Sequence, residues 1–447
     1  MNNVKCVLIK LNGDVVKKFF INGCILTITA FIMRSVSMAF NIYVSNKIGA
    51  EAVGVFGLVM SVYLFFVTFA TSGLSLACTY LVSEKFAKNE YSEGVKVVKN
   101  CTSFGILLGL ASSAILTFLA NIISTKWLNN QISPIPFYLI AIGLPFIAFS
   151  AVINGYFSAV RKAYKSAFSQ VIELSIKIFI SIFLLKFYPI SSVEIICIYL
   201  IMADVISEVF SGIILFVLYK FDIRNYLKRN ISLTNFKKVI FKITFPVSIT
   251  SYIRSGLSTF KQFIVPNRLL MFGLPYGIAL SEYGKITGMA LPVIMFPIVF
   301  ISSFSSLIVP EFSSLLAKGY KKRIVTVTHK IFLATSLFSI IVTIFLLIFA
   351  NDISLYIFQN IDCAKYIKVL SPLVLFMYLD NIIDNMLKGL NKQFQVMFCN
   401  IVDLILSICI LYFLLPEIGI TGFVISIYIS EIFNFIVSYV TLKKIIK

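Results

Sequence analysis

Charge is scarce in this sequence. Only 13% of its 447 residues are Asp, Glu, Lys or Arg, against roughly a quarter in soluble domains, which excludes an ordinary soluble globular protein. Acid is scarcer still, with 19 Asp and Glu against 39 Lys and Arg and a net charge of +20. Histidine occurs once, as His329 in a basic loop, where it reads as a solvated residue. No cysteine or histidine cluster has metal-ligand spacing and no Gly-rich nucleotide loop is present, so no metal, no catalytic residue and no cofactor is implied, and ATP bound by this chain is not expected as an energy source. The eight cysteines are scattered. Under the topology below only Cys363 faces outward, which excludes an extracellular disulfide within one chain. Met1 to Val16 is mixed polar and the first apolar run is full length, so nothing reads as a cleaved signal. "INGC" at 21–24 lacks the apolar run that should precede a lipoprotein cleavage site.

What is abundant is apolar sequence, at 59% hydrophobic residues. Twelve runs, near 18–44, 52–80, 98–123, 133–158, 166–186, 191–219, 239–264, 277–309, 331–357, 364–390, 394–414 and 419–441, each suffice for a membrane-crossing helix. The expectation is an all-α polytopic membrane protein. The basic residues are distributed in alternation: 28 of 39 lie in the termini and in every second loop, whereas six (Lys47, Lys126, Lys186, Arg268, Lys365, Lys368) lie in the others. Cytoplasmic loops retain Lys and Arg, so both termini are expected in the cytoplasm of a cell that displays the protein in its plasma membrane. The same distribution explains the positive charge without nucleic acid as a partner. Val4, Leu8, Leu11 and Val15 recur at helical spacing among lysines, as in a helix lying on the inner membrane surface.

The chain repeats itself. "FIMRSVSMAF" (31–40) and "SYIRSGLSTF" (251–260) bring Arg34, Ser35 and Phe40 into register with Arg254, Ser255 and Phe260. "AVRKAYKSAFSQVIE" (159–173) aligns without a gap on "GLNKQFQVMFCNIVD" (389–403), pairing Lys162 with Lys392 and Glu173 with Asp403. Two echoes in one order predict two six-helix lobes in parallel repeat: an N-terminal segment (1–17), an N-lobe (18–219), a charged cytoplasmic linker (220–238), a C-lobe (239–441) and a tail (442–447).

Arg34 and Arg254 each lie about ten residues from the outer end of their helix, so ~15 Å deep and near the midplane. A central Arg costs ~2.5–3.5 kcal/mol on insertion scales and needs a partner, water or a ligand. Ser37 and Asn41 continue the face of Arg34, and Ser258 and Lys261 that of Arg254, so the two stripes facing each other would make a wet, positive cavity. The bland alternative pairs each Arg with a carboxylate of its own lobe: Asp204, Glu208 or Glu431. Asp204 with Glu208, and Asp380 with Asp384, are also spaced to share a helix face and could carry H⁺ or Na⁺. Asp380 and Asp384 could instead simply pair with Lys388. Glu173 and Asp403 are expected to cap or salt-bridge the basic turns. Pro145, Pro246, Pro292, Pro297 and Pro372 interrupt helices and could bend them.

"IGAEAVGVFGLVMSVYLFFVTFATSGLSLACTYLVSE" (48–84) and "GYFSAVRKAYKSAFSQVIE" (155–173) resemble the polysaccharide exporters of the stage V sporulation protein B type, within the multidrug/oligosaccharidyl-lipid/polysaccharide (MOP) superfamily. The resemblance implies a V-shaped bundle in a bacterial membrane, probing both faces by alternating access. It implies a flippase carrying a polyprenyl-diphosphate-linked saccharide from the inner to the outer leaflet, with membrane lipids and a coupling ion as the other partners and a monomer as the working unit. In related lipid II flippases basic residues of the central cavity are thought to hold the diphosphate, a role matching Arg34 and Arg254. An Arg fork grips phosphate oxygens and keeps its charge. Many relatives carry fourteen helices, the last two contributing a groove for the lipid tail, and this chain shows twelve. Ala159 and Val160 stand where relatives often have a glycine. The same fold also hosts Na⁺- or H⁺-coupled multidrug exporters, which handle organic cations and should place an acid in the first helix or its mate. Spans 1 and 7 hold none.

Overall fold

In bilayer hydrocarbon a backbone must satisfy its own hydrogen bonds, so apolar runs of this length become helices. The computed structural model describes residues 13–130, 132–188, 192–224 and 237–446, and among them every regular element is helical. Most of the expected linker (225–236) and most of the N-terminal segment fall outside the described residues, while the linker's two ends continue the helices of spans 6 and 7.

Twelve passes are present. Span 1 (13–48) and span 2 (50–87) are continuous except where Gly49 leaves helical geometry at φ 80° and ψ 168° and where the chain breaks between Thr71 and Leu74. Spans 3 to 6 are Tyr91–Trp127, Ile135–Ala159, Ala163–Phe187 and Val193–Ile223. Span 7 is Lys237–Met271 and span 8 covers 276–317, interrupted by a π-helical turn at Lys285–Ala290 and a break before Ile298 at Pro297. Spans 9 to 12 are Lys321–Ile357, Cys363–Gly389, Gln393–Ile418 and Ile420–Ile446. Among the described residues nine helices are individually long and apolar enough to cross a bilayer. The first of these holds two spans, span 8 is cut into short pieces by its π turn and Pro297, and span 7, with its polar and basic residues, is not apolar enough to count among the nine.

The internal repeat is written into the backbone. Asn89, Asn129 and Arg161 adopt left-handed φ of 58°, 50° and 59°, and Gly319, Gln359 and Asn391, each 230 positions later, adopt 71°, 50° and 60°. The turns at 161 and 391 also share hydrogen bonds: Lys162 N–H donates to Phe157 O at 2.8 Å and Lys392 N–H to Leu387 O at 2.9 Å. Span 3 ends in a π turn at Ile123–Trp127 and span 9 in one at Ile353–Ile357, again 230 apart. A left-handed non-glycine residue is unfavourable and arises where a sharp reversal demands it, so three matched pairs mark one six-helix design used twice.

Packing follows that division. Span 4 packs on spans 2, 3 and 6, and span 5 on span 6; in the second half span 11 packs on spans 7 and 12, and span 10 on spans 8, 9 and 12. Span 2 forms the seam, lying against spans 7 and 8. Along it, Ser248 Oγ donates to Ser72 O at 3.0 Å, Tyr252 OH to Phe69 O at 3.1 Å and Thr259 Oγ1 to Ser61 O at 3.0 Å. At the end remote from the termini the lobes close on each other. Asn46 Nδ2 donates to Ile357 O at 2.6 Å, Asn129 bonds Asn267 at 2.9 Å, and the Trp127 and Phe263 rings meet at 5.2 Å. Backbones touch there because both sides are small: a Cβ on Gly284 would lie 2.1 Å from Ala50 O and 2.8 Å from Gly54 N.

Candidate functional site

Each lobe holds a polar cavity of its own. In the first lobe a cavity of about 560 Å³ opens among spans 1, 2, 4, 5 and 6. Span 5 contributes Glu173 and Lys177, span 6 Asp204 and Glu208, and span 2 Tyr63. Asp204, at 6% exposure, pairs with Lys177 Nζ at 2.5 Å. Tyr63 OH donates to Glu208 Oε1 at 2.7 Å. Three buried atoms around this cavity, Ser150 Oγ, Asn154 Oδ1 and Asp204 Oδ2, have no hydrogen-bond partner among the described residues.

The second lobe has a counterpart of about 390 Å³ lined by Ser258, Lys261, Gln262, Tyr283, Ser430 and Glu431 among others. Tyr283 OH donates to Gln262 Oε1 at 3.1 Å. Lys261 lies in Coulombic reach of Asp403 and Glu431, without an ion pair among the described residues. Behind it runs a chain of polar contacts. Ser430 donates to Asp403 Oδ1 at 2.6 Å, and Asn434 Nδ2 reaches Asp380 Oδ2 at 2.8 Å and Asn400 Oδ1 at 3.5 Å. Asp384 feels the charges of Lys388 and Arg254, yet neither comes within ion-pair distance of it among the described residues.

The arginines lie outside both cavities. Arg34 lines a smaller, open groove of about 300 Å³ with Ser37 and Asn41 of span 1 and Pro292, Met295, Phe296 and Val299 of span 8, so that groove is walled by both lobes. Arg254 is exposed on span 7, and neither arginine forms an ion pair among the described residues. The two polar stripes therefore do not share one pocket: Arg34, Ser37 and Asn41 sit at the seam, and Ser258 and Lys261 turn into the second lobe's cavity. Neither arginine forms an ion pair with Asp204, Glu208 or Glu431 among the described residues, Asp204 being engaged by Lys177 and Glu208 by Tyr63; the acid of its own lobe that Arg254 influences is Asp384.

Two further expectations change. Glu173 and Asp403 do not brace the basic turns; Glu173 lines the first cavity and Asp403 is bound by Ser430. The brace at the first lobe's turn is Asp222, which takes Lys162 Nζ and Lys165 Nζ at 2.6 Å each and the Tyr156 hydroxyl at 2.8 Å. Lys177, Tyr63 and Asn434 went unnoticed in the sequence. The matched acids Glu173 and Asp403 were the available signal, because acids kept at one register inside two apolar helices point inward.

Residues 19–316 match the family model described as polysaccharide biosynthesis protein, which is more than half of the chain. The chain belongs to that family. Stage V sporulation protein B of Bacillus subtilis (strain 168) is 22% identical over 442 residues, covering 96% of this chain and 85% of the relative. Sporulation protein YkvU of the same organism is 20% identical over 436 residues, covering 96% of each. Among solved structures, an inward-facing multidrug resistance MATE transporter of the MOP superfamily superposes with a TM-score of 0.73 at 15% identity, covering 93% of this chain and 94% of its own. A MOP superfamily transporter from Pyrococcus furiosus Vc1, whose title reports reverse polarity of its binding pocket, superposes at 0.65 with 16% identity and 95% coverage of each chain. The family member described here is thus a multi-pass membrane protein with the MATE fold.

Proposed function

We propose that this family member is a flippase: it moves a polyprenyl-diphosphate-linked saccharide from the inner to the outer leaflet by alternating access, with both termini cytoplasmic. The observation carrying this reading is Arg34 together with Arg254. They stand in register in the sequence echo of 31–40 and 251–260, are expected near mid-membrane from their place in the apolar runs, and have no carboxylate at ion-pair distance among the described residues. A permanently charged residue in hydrocarbon with no carboxylate in contact, Asp384 lying at longer range from Arg254, is best explained by an anionic ligand or water that arrives during the cycle. Arg34 also sits where two lobes meet, so a ligand held there would feel their relative motion. Family membership supports a saccharide precursor as the cargo.

The acids of the two lobes supply a place for a coupling ion. In the first lobe the unpartnered acceptors Asn154 Oδ1 and Asp204 Oδ2, with Glu208 nearby, suit H⁺ or Na⁺. Asp380, Asp384, Asp403 and Glu431 offer the same in the second. These acidic cavities also favour one rival, an ion-coupled exporter of organic cations, because a cationic drug would need just such carboxylates.

Transport in proteoliposomes separates the readings. A fluorescent polyprenyl-diphosphate sugar should cross with the intact chain, and Arg34→Ala or Arg254→Ala should abolish crossing while leaving expression and thermal stability intact. Arg→Lys at either position should be impaired, since a point charge lacks the bidentate grip. Full activity in the double Ala variant, or transport of organic cations in place of the lipid, overturns the proposal.

A further inference from the structure

The flippase reading leaves open where the lipid tail of the substrate lies. Span 8 offers a place. Beyond Val299, which belongs to the Arg34 groove, its next residue Phe300 opens a second and larger groove of about 680 Å³ between spans 8 and 9, floored by Ile382 of span 10. Its lining is almost wholly apolar, including Ile301, Ile308, Phe312, Ile331 and Phe338. The two grooves are joined by aromatic contact. Phe31, one turn before Arg34 on the same helix face, packs its ring 5.0 Å from Phe300, and Phe300 lies 6.4 Å from Phe338.

We propose that this apolar groove between spans 8 and 9 holds the polyprenyl tail of the substrate while Arg34 holds its diphosphate. The assignment rests on the flippase reading and adds to it the path of the tail. Three features fit that occupant. First, the groove adjoins a cationic site across the Phe31 and Phe300 rings, so an anionic head at Arg34 places the start of its chain beside Phe300. Second, from Phe300 to Glu311 the helix runs about 16 Å, close to the ~15 Å half-thickness of the hydrocarbon core. A tail following it would lie in one leaflet after its head is drawn to mid-membrane depth. Third, the groove ends on Glu311, an exposed acid. An ordinary phospholipid would have to place its phosphate at that surface end, beside the carboxylate, whereas the polyprenyl substrate places its phosphates at the opposite end, beside the arginine.

The test uses the full chain in proteoliposomes and a polyprenyl-diphosphate sugar bearing a diazirine at the far end of its tail. Photolysis should label peptides from 298–338. Excess unlabelled long-chain substrate should suppress that labelling, which has to arise against the large excess of phospholipid in the bilayer itself. Ala334→Trp fills the groove from an exposed wall position, away from the buried core. It should slow translocation of the long-chain substrate by about tenfold through lost apolar burial, and leave a short geranyl-chain analogue unaffected. Equal rates for both chains in Ala334→Trp, or labelling elsewhere, overturns the tail assignment and leaves the head site standing. If the intact chain neither labels with nor moves any diphosphate-linked probe, the flippase reading itself fails, and the tail assignment with it.

Discussion

Closure at the end remote from the termini depends on two glycines, and substituting one should shift the conformational balance of the whole transporter. A Cβ at Gly284 would lie 2.1 Å from Ala50 O, and contacts under 3.0 Å do not occur in real structures. Gly284→Ala therefore forces spans 2 and 8 apart by roughly an ångström, against backbone that cannot rotate away. Overpacking of this kind costs about 1–3 kcal/mol. The penalty falls only on the state in which these helices touch, so about 2 kcal/mol should reduce that state relative to its open alternative by about thirtyfold. Spin labels at Lys126→Cys on the first lobe and Met271→Cys on the second, in a background without other cysteines, report the separation of the lobes at that end. Electron–electron distance distributions should move from a short to a long population in Gly284→Ala. Gly57→Ala is the control, because its Cβ would meet only the Tyr283 ring at 3.9 Å. An unchanged distribution in Gly284→Ala, with the protein still folded, refutes the argument that this contact holds the end shut.

Three other outcomes follow from the same geometry. Asp222→Asn loses two lysine partners at 2.6 Å and should lower stability by about 2 kcal/mol, read as a lower thermal midpoint in detergent; no change would mean the lysines find water at no loss. Lys177→Ala leaves Asp204 buried without a cation and should destabilise by about 3 kcal/mol, whereas Lys177→Gln with Asp204→Asn should be milder; a double variant as unstable as the single would contradict the ion-pair account. Membrane-impermeant thiol reagents applied to intact cells should modify Asp362→Cys and spare Asn230→Cys, a position outside the described residues, and labelling at 230 would invert the proposed orientation.

Much of this architecture is legible in one dimension because a bilayer imposes a one-dimensional rule. Twenty apolar residues must cross as a helix, so the twelve passes, the helical class and even the doubled design could be read from hydropathy and from the two sequence echoes. The echo at 159–173 and 389–403 is matched by left-handed turns at Arg161 and Asn391, because the same reversal between two helices demands the same backbone. Side-chain direction across the bundle was not legible. Periodicity says which residues share a helix face, but it does not say what that face meets. Arg34 and Arg254 are in register in the echo of 31–40 and 251–260, an offset of 220 where the turns repeat at 230, and Arg34 meets span 8 at the seam while Ser258 and Lys261, on the face of Arg254, turn into their own lobe. Lys177 looked like one more interior lysine until span 6 brought Asp204 to within 2.5 Å of it. Such pairings depend on crossing angles and rotations between helices distant in the chain. Those are set by close packing, as where Gly284 admits Ala50, and only the tertiary structure decides them.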